Sequence, residues 1–341
     1  MINLEKHTKI TLENLKSSIE KFKNKANTTN LENYLKTNNF EKRVLLLWWS
    51  QIKWSLSPFI HTYSSSFLKD KFLYTLVNLE EENLNINELL DFIENNDSIL
   101  GSNVTMPYKI DIFEKLKKEN KLDESAILVG AVNTIAKENW KLKWYNTDME
   151  GIYLPLKEKL KNIAKNAVIL WAWWAAKAAF VALIKLWVQN VFLLNRTSQR
   201  AIDFVNYFND EKIKSMFGKD YNLKFVEYEV DKNEKNKISN IFPKDTILIN
   251  TLPFGFKENL PKYPIIDEEF EKIKNYVKLY FDVVYDLNYG DTPMLSKFKQ
   301  NNIKTIDGRS MLINQAVKWF ELWTNGKKID VEKLSNILAH N

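Results

Sequence analysis

The 341-residue chain has no cysteine. That excludes a disulfide framework, a thiolate nucleophile and any cysteine-held zinc or iron–sulfur centre. The three histidines, His7, His61 and His340, show no metal-ligand spacing, which argues against a zinc hydrolase, and no metal is expected. No charge-free apolar run reaches the roughly 18 to 20 residues of a membrane span. The first eighteen residues, Met1 to Ser18, lack the apolar centre of a signal peptide. The expectation is a cytoplasmic protein with no membrane partner. A strong charge imbalance is missing too: 49 Lys and Arg against 43 Asp and Glu leave +6. The lysines alternate with glutamate and asparagine and form no basic block, so they read as a solvated surface and no nucleic-acid partner is expected. The sharpest shortage is glycine, 8 residues in 341, where about 7% is usual. Tryptophan is in surplus at 11. A chain of this length forms two domains, and two domains need glycine at left-handed turns and close backbone approaches.

What is present is an ordinary globular composition, 45% hydrophobic and 27% charged. Residues 1–40 are polar, and Leu12, Ile19 and Phe22 offer a sparse helical stripe, so this segment reads as a helical extension or a partly ordered tail. Val44 to Leu47 is long enough for a buried strand. Phe67 to Val77 and Ile86 to Ile93 have helical spacing, Ile99 to Val104 reads as a strand ended by Pro107, and Tyr108 to Leu116 returns to a helix. Ala167 to Leu170, Ala175 to Leu186 and Val191 to Leu194 form a β-α-β unit, whose wholly apolar strands suit a parallel sheet covered on both faces. Further strands are predicted at Phe225 to Val230, Thr246 to Ile249 and Phe281 to Val284, and a helix at Met311 to Trp323.

Four segments then stand in order: Ser55-Leu56-Ser57-Pro58-Phe59-Ile60-His61, Asn103-Val104-Thr105-Met106-Pro107-Tyr108-Lys109, Gly130-Ala131-Val132-Asn133-Thr134 and Tyr145-Asn146-Thr147-Asp148. Together they resemble the shikimate dehydrogenases, NADPH-dependent reductases of 3-dehydroshikimate. Asn195-Arg196-Thr197 and the helix with Met311, Leu312 and Gln315 fit the same family, and the resemblance runs from about Val44 to the C-terminus. It implies an N-terminal α/β substrate-binding domain over 41–147, joined by C-terminal helices 308–341, and a Rossmann-like dinucleotide-binding domain over 148–307, with a cleft between them. It implies a role on the route to chorismate and the aromatic amino acids, and a monomer or homodimer. A quinate/shikimate dehydrogenase using NAD and a non-catalytic shikimate-binding protein are the alternatives.

Ketone reduction needs a proton donor beside the forming alkoxide. Lys109 lies at a strand-to-helix junction and Asp148 in a polar loop before the second domain. Outside this context such a pair reads as a plain ion pair; the resemblance implies that Lys109 and Asp148 are catalytic. Ser55 and Ser57 share a face if their segment is extended, and the resemblance gives them the substrate carboxylate. Capping of the helix at Pro58 is their other reading. Asn103, Thr105, Asn133 and Gln315 would bind ring hydroxyls, and Tyr285 would close the pocket. His61 reads as a packing residue.

For the cofactor, NADP(H), the family has Gly-Ala-Gly-Gly-Ala between strand and helix. Here the segment is Trp171-Ala172-Trp173-Trp174-Ala175. After the second strand, Asn195 offers no acid to a ribose hydroxyl. Arg196 and Arg200, beside Thr197, offer guanidinium groups to a 2′-phosphate instead. Gly308 completes the cofactor set by resemblance. Trp49, Trp140, Trp144 and Trp187 also stand where the family has glycine, with Trp48 and Trp54 as further cases, whereas Trp319 and Trp323 read as genuine. A gene in which UGA encodes glycine, read by the standard code, produces this pattern; the alternative is a divergent tryptophan-rich protein.

Overall fold

The computed structural model describes residues 2–37, 39–48, 55–79, 86–105, 108–117, 119, 121–160, 162, 164–172, 174–228, 238–240, 242–252, 264–285 and 290–338. Trp49, Trp54, Met106, Pro107 and Trp173 lie outside these residues, as do the side chain of Trp48 and the last two residues of the strand predicted to Val230. The chain divides into two compact units, Met1–Thr147 with Gln315–Ala339, and Asp148–Asn314.

In the first unit, α1 (Leu4–Phe22) starts where the Asn3 side chain accepts the Lys6 N–H. Its buried face is His7, Thr11, Asn14, Leu15, Ser18 and Phe22. That face is mostly polar because it makes specific bonds. Thr11 Oγ1 accepts the backbone N–H of Leu76 at 2.9 Å. Asn14 Nδ2 donates to the Ser55 carbonyl at 3.1 Å. The Arg43 guanidinium reaches Thr8 Oγ1 and Thr75 Oγ1. The extension is therefore a packed layer of this unit, not a partly ordered tail, and Leu12 and Ile19 are only half-buried.

After α2 (Thr29–Lys36) come β1 (Arg43–Trp48), α3 (Ser57–Ser65), β2 (Leu73–Asn78), α4 (Ile86–Glu94), β3 (Ile99–Val104), α5 (Tyr108–Leu116), α6 (Glu124–Val129), β4 (Thr134–Glu138) and β5 (Lys141–Tyr145). They form a five-stranded sheet in the order β2-β1-β3-β4-β5. β1, β2 and β3 run parallel, and β4 and β5 close it as an antiparallel hairpin. The helix predicted over Phe67 to Val77 is instead the lead-in to β2, every residue of which is buried. The charged stretch Lys69-Asp70-Lys71 is where the chain turns into β2, and the short run after it has too little period to separate helix from strand.

The second unit holds α7 (Asp148–Lys159), β6 (Asn166–Leu170), α8 (Trp174–Lys185), β7 (Asn190–Asn195), α9 (Ser198–Asn209), α10 (Glu211–Phe217), β8 (Asn222–Glu227), β9 (Thr246–Asn250), α11 (Asp267–Ile273), β10 (Val277–Asp282), α12 (Pro293–Gln300) and β11 (Lys304–Ile306). The six strands are all parallel in the order β11-β10-β9-β6-β7-β8, so the strand order reverses at β6. In such sheets ligands bind beyond the carboxyl ends of the strands at the reversal. Four of five β6 residues and all of β9 are buried, as a sheet covered on both faces requires.

Last come α13 (Gly308–Trp323) and α14 (Val331–Leu338). The division between units falls at Gln315, inside α13, rather than at 308. A Cβ at Gly308 would collide with the Val283 carbonyl, which ties the start of α13 to the second unit. Trp323, at its end, donates from Nε1 to the Ile135 carbonyl at 3.1 Å in the first unit.

Candidate active site

Of the predicted site residues in the first unit, Asn103 and Asn133 stand in one buried, hydrogen-bonded row. Ser57 opens α3, and Ser55 Oγ accepts the Ser57 N–H at 3.3 Å. The segment is thus turned into a helix start rather than extended, because Pro58 favours the first helical turn. The Ser57 hydroxyl lies close enough to the phenol of Tyr74 to oppose the effect of burial on it. Tyr74, fully buried in β2, donates to Asn103 Oδ1 at 2.6 Å. Asn103 Nδ2 donates to the Asn133 carbonyl at 3.2 Å and Thr134 Oγ1 at 3.3 Å. Asn133 Oδ1 accepts the Thr147 N–H at 3.0 Å and the Thr134 hydroxyl at 2.7 Å, and its Nδ2 donates to Thr147 Oγ1. Burial raises the Tyr74 pKa far above its ordinary value, against a smaller opposing effect of Ser57, so the phenol stays a neutral donor. Sequence reasoning missed Tyr74. Its one signal is a hydroxyl in a strand whose other predicted partners are apolar. Asn103 and Asn133, expected to face ring hydroxyls, place their amides inside this row and so hold the wall of the site.

Lys109 is the second residue of α5 and 8% exposed. Its carbonyl accepts the Val132 N–H at 2.9 Å, which fastens the start of α5 beside Asn133. Thr105, half-buried at the end of β3, accepts the Tyr108 N–H through its carbonyl at 3.1 Å. Gln315 is buried on α13. Asp148 does not lie in a polar loop. It is the first residue of α7 and is buried. His61 is fully buried, its ring centroid 4.8 Å from Tyr74, 5.6 Å from Trp319 and 5.2 Å from Trp323. Burial lowers its pKa to about 3, so it packs as a neutral ring.

The second unit carries the turn from β6 to α8 at the reversal point of its sheet. Trp171 has φ +77° and donates its N–H to the Leu194 carbonyl at 2.6 Å. Its indole is buried in the apolar cluster with Leu170, Leu194, Tyr228 and Phe242. The Ala172 N–H goes to Asn195 Oδ1 at 3.1 Å, and Asn195 Nδ2 donates to the Thr197 carbonyl at 2.7 Å. Asn195 therefore clamps the turn to the loop after β7. Arg196, Thr197 and Arg200 are exposed beyond it. Trp174 opens α8, and Ala175 is buried behind it. Tyr285 is half-buried after β10.

A pyrophosphate at a strand–turn–helix is held by bare backbone N–H groups and the helix N-terminus. Arg196 and Arg200 fit a 2′-phosphate. The turn as written does not fit the pyrophosphate: Ala172 N–H is engaged, and indoles stand at Trp171 and Trp174. Among the described residues no group of three or more His, Asp or Glu side chains could hold a metal ion, and no helix is long and apolar enough to cross a membrane.

An all-parallel sheet with a strand–turn–helix at its reversal, carried on the same chain as a mixed-sheet unit with a buried polar row, defines a two-unit α/β protein of the dinucleotide-dependent dehydrogenase class. The family profile described as the shikimate dehydrogenase substrate binding domain matches residues 47–135. The shikimate dehydrogenase (NADP(+)) of Methanocaldococcus jannaschii is 33% identical over 306 residues, 88% of this chain and 97% of that protein. This chain belongs to the shikimate dehydrogenase family. Among solved structures it resembles the Listeria monocytogenes shikimate 5-dehydrogenase in complex with shikimate and NAD, with TM-score 0.71, 25% identity and coverage of 87% and 96% of the two chains. It also resembles a shikimate dehydrogenase in complex with NADP+, with TM-score 0.67, 28% identity and coverage of 87% and 94%.

Proposed function

We propose that this chain catalyses the reversible NADPH-dependent reduction of 3-dehydroshikimate to shikimate, in the biosynthesis of chorismate and the aromatic amino acids. The observation that carries the reading is the buried row from Tyr74 through Asn103 and Asn133 to Thr147, with Ser57 close to the phenol and Lys109 fastened beside the row. A small polyhydroxylated acid needs short, fixed hydroxyl and amide groups around it. Ser55 and Ser57 take its carboxylate, and Thr105, Gln315 and the edges of Asn103 and Asn133 take its hydroxyls. Reduction turns the ketone oxygen into an alkoxide. Lys109 supplies the proton, and Asp148 is its proposed acid–base partner in the reaction. Tyr285 is the further substrate-binding residue of this reading. Arg196 and Arg200 favour a phosphorylated ribose, which speaks for NADP over NAD and against quinate oxidation with NAD. The same reading makes the protein a cytoplasmic monomer or homodimer.

Lys109→Ala, made in protein carrying glycine at 171, 173 and 174, should lower kcat at least 10²-fold, typical of a lost acid–base group, with little change in KM. Steady-state kinetics in both directions measure this. A fall of less than threefold would remove Lys109 from the proton transfer.

A further inference from the structure

Outside glycine, positive φ occurs among the described residues at Asn139, Trp140, Trp171, Trp187, Asp245, Asn302 and Asn325. Asparagine and aspartate tolerate this region because their short polar side chains bond locally. Tryptophan has no such means, and its Cβ meets the following carbonyl. We infer that the functional protein carries glycine, not tryptophan, at positions 140, 171 and 187.

Each position demands glycine by a different rule. Asn139 and Trp140, φ 49° and 66°, form the two-residue loop between the paired Glu138 and Lys141. Two positive φ values in such a loop are the type I′ signature, whose preferred sequence is Asn-Gly. Trp187 ends α8: its N–H goes to the Ile184 carbonyl and the Val188 N–H to the Leu183 carbonyl. That is the Schellman pair, with Trp187 on the left-handed residue that is usually glycine. Gly130 and Gly218 take the same left-handed position after other helices, and Asn302 stands at an identical pair after α12. Trp171 stands at the first position of the β6–α8 turn with φ +77°.

The side chains agree with the backbone. Trp140 and Trp187 are 78% and 67% exposed, the most exposed large hydrophobics among the described residues. Trp171 differs in that its indole is buried in the apolar cluster, so there the backbone alone makes the case. The other buried indoles have no such φ. Trp323 fills the space beside Gly101, where a Cβ would come within 2.7 Å of its ring, and Trp319 packs on His61. Trp144, in β5 and 2% exposed, also lacks positive φ, so the backbone makes no such demand there. One cause covers all three positions: a UGA codon that the cell of origin translates as glycine. Only the assignment at 171 bears on the dinucleotide and rests there on the proposed function. The assignments at 140 and 187 are independent of it.

The test is peptide mass spectrometry on the protein isolated from its own cells. The peptides spanning 140, 171 and 187 should be lighter by the difference between indolylmethyl and hydrogen at each position, and those spanning 319 and 323 should carry tryptophan. A tryptophan mass at any of the three positions overturns the inference. Protein made in a standard-code host gives a second measurement. Trp140→Gly and Trp187→Gly should each raise the unfolding temperature, by roughly 2 °C or more for a unit of this size. A fall in either overturns the assignment at that site. Glycine at 171, 173 and 174 together should tighten NADP binding at least tenfold in a calorimetric titration. Glycine masses in the native peptides with no NADP binding by that triple variant would uphold the assignment and overturn the dinucleotide reading alone.

Discussion

Tyr74 donates its one hydroxyl to Asn103 Oδ1, with Ser57 close by. Tyr74→Phe keeps the ring against His61 but leaves the buried Asn103 amide oxygen one partner short. The expected cost is about 1–3 kcal/mol in denaturant unfolding, with a rise in KM for shikimate from a loosened Ser57. An unchanged midpoint and unchanged KM would show that the row does not depend on this hydroxyl. Lys109, Ser57, Asn103 and Asn133 were singled out in the sequence because they sit in short motifs; Thr147 stands in one too but was not among the expected site residues. Tyr74 was not singled out, since its role exists only once β2 lies two strands from β3 in the sheet. Asp148 was misplaced for a related reason: α7 begins on it after only the two-residue link Asn146-Thr147, and burial of a carboxylate leaves no local pattern.

At the level of elements, the buried strands β6 and β7 were legible as short apolar runs, and α8 as an alanine-rich apolar stretch broken only at Lys177 before its last residue. The β4–β5 hairpin was hidden, since Asn139-Trp140 does not spell the Asn-Gly turn that its backbone adopts. The packing of α1 was hidden by its polar buried face, where Thr11 serves an edge strand. Thr11→Val keeps the shape and removes the acceptor of the Leu76 N–H. The first unit should lose about 1–3 kcal/mol, and the Leu76 amide should exchange its hydrogen faster. Thr11→Ser should restore slow exchange. Wild-type exchange at Leu76 in Thr11→Val would show that α1 only lies against the sheet. An edge strand with unpaired N–H groups also invites pairing with another chain, so the same variant should aggregate sooner on heating.

At the scale of the whole molecule, His61 in the first unit and Asp282 in the second, both fully buried, respond to acid in opposite senses. His61 has its pKa lowered to about 3. The unfolded chain takes up a proton near pH 6.5 that the folded one refuses, so stability is present above that pH and is lost as pH falls. Asp282, fully buried and bonded by Tyr280, Thr292 and Asn250, has its pKa raised from 3.8 to about 6, chiefly by burial. Its contribution is complete below the unfolded value and is lost as pH rises through about 6. Each tenfold change in proton affinity is worth about 1.4 kcal/mol. Between roughly pH 4 and 6 His61 should therefore weaken the first unit on acidification, while Asp282 strengthens the second against the opposite pull of Glu269, whose carboxyl is held below its ordinary range by Ser239 and Lys272 in spite of its burial. His61→Phe should flatten the acid limb of the first, and Asp282→Asn the rise of the second, in urea midpoints followed by hydrogen exchange at residues of each unit. Parallel pH curves for the two units would contradict this. The chain order of the units has a consequence during synthesis. Residues 148–314 are contiguous, whereas the first unit needs Trp319, Phe320 and Trp323 against His61, Tyr74 and Ile135. At the roughly 5–20 residues per second of a ribosome, the part made first waits seconds to tens of seconds for its last wall, and the part made second can fold before it.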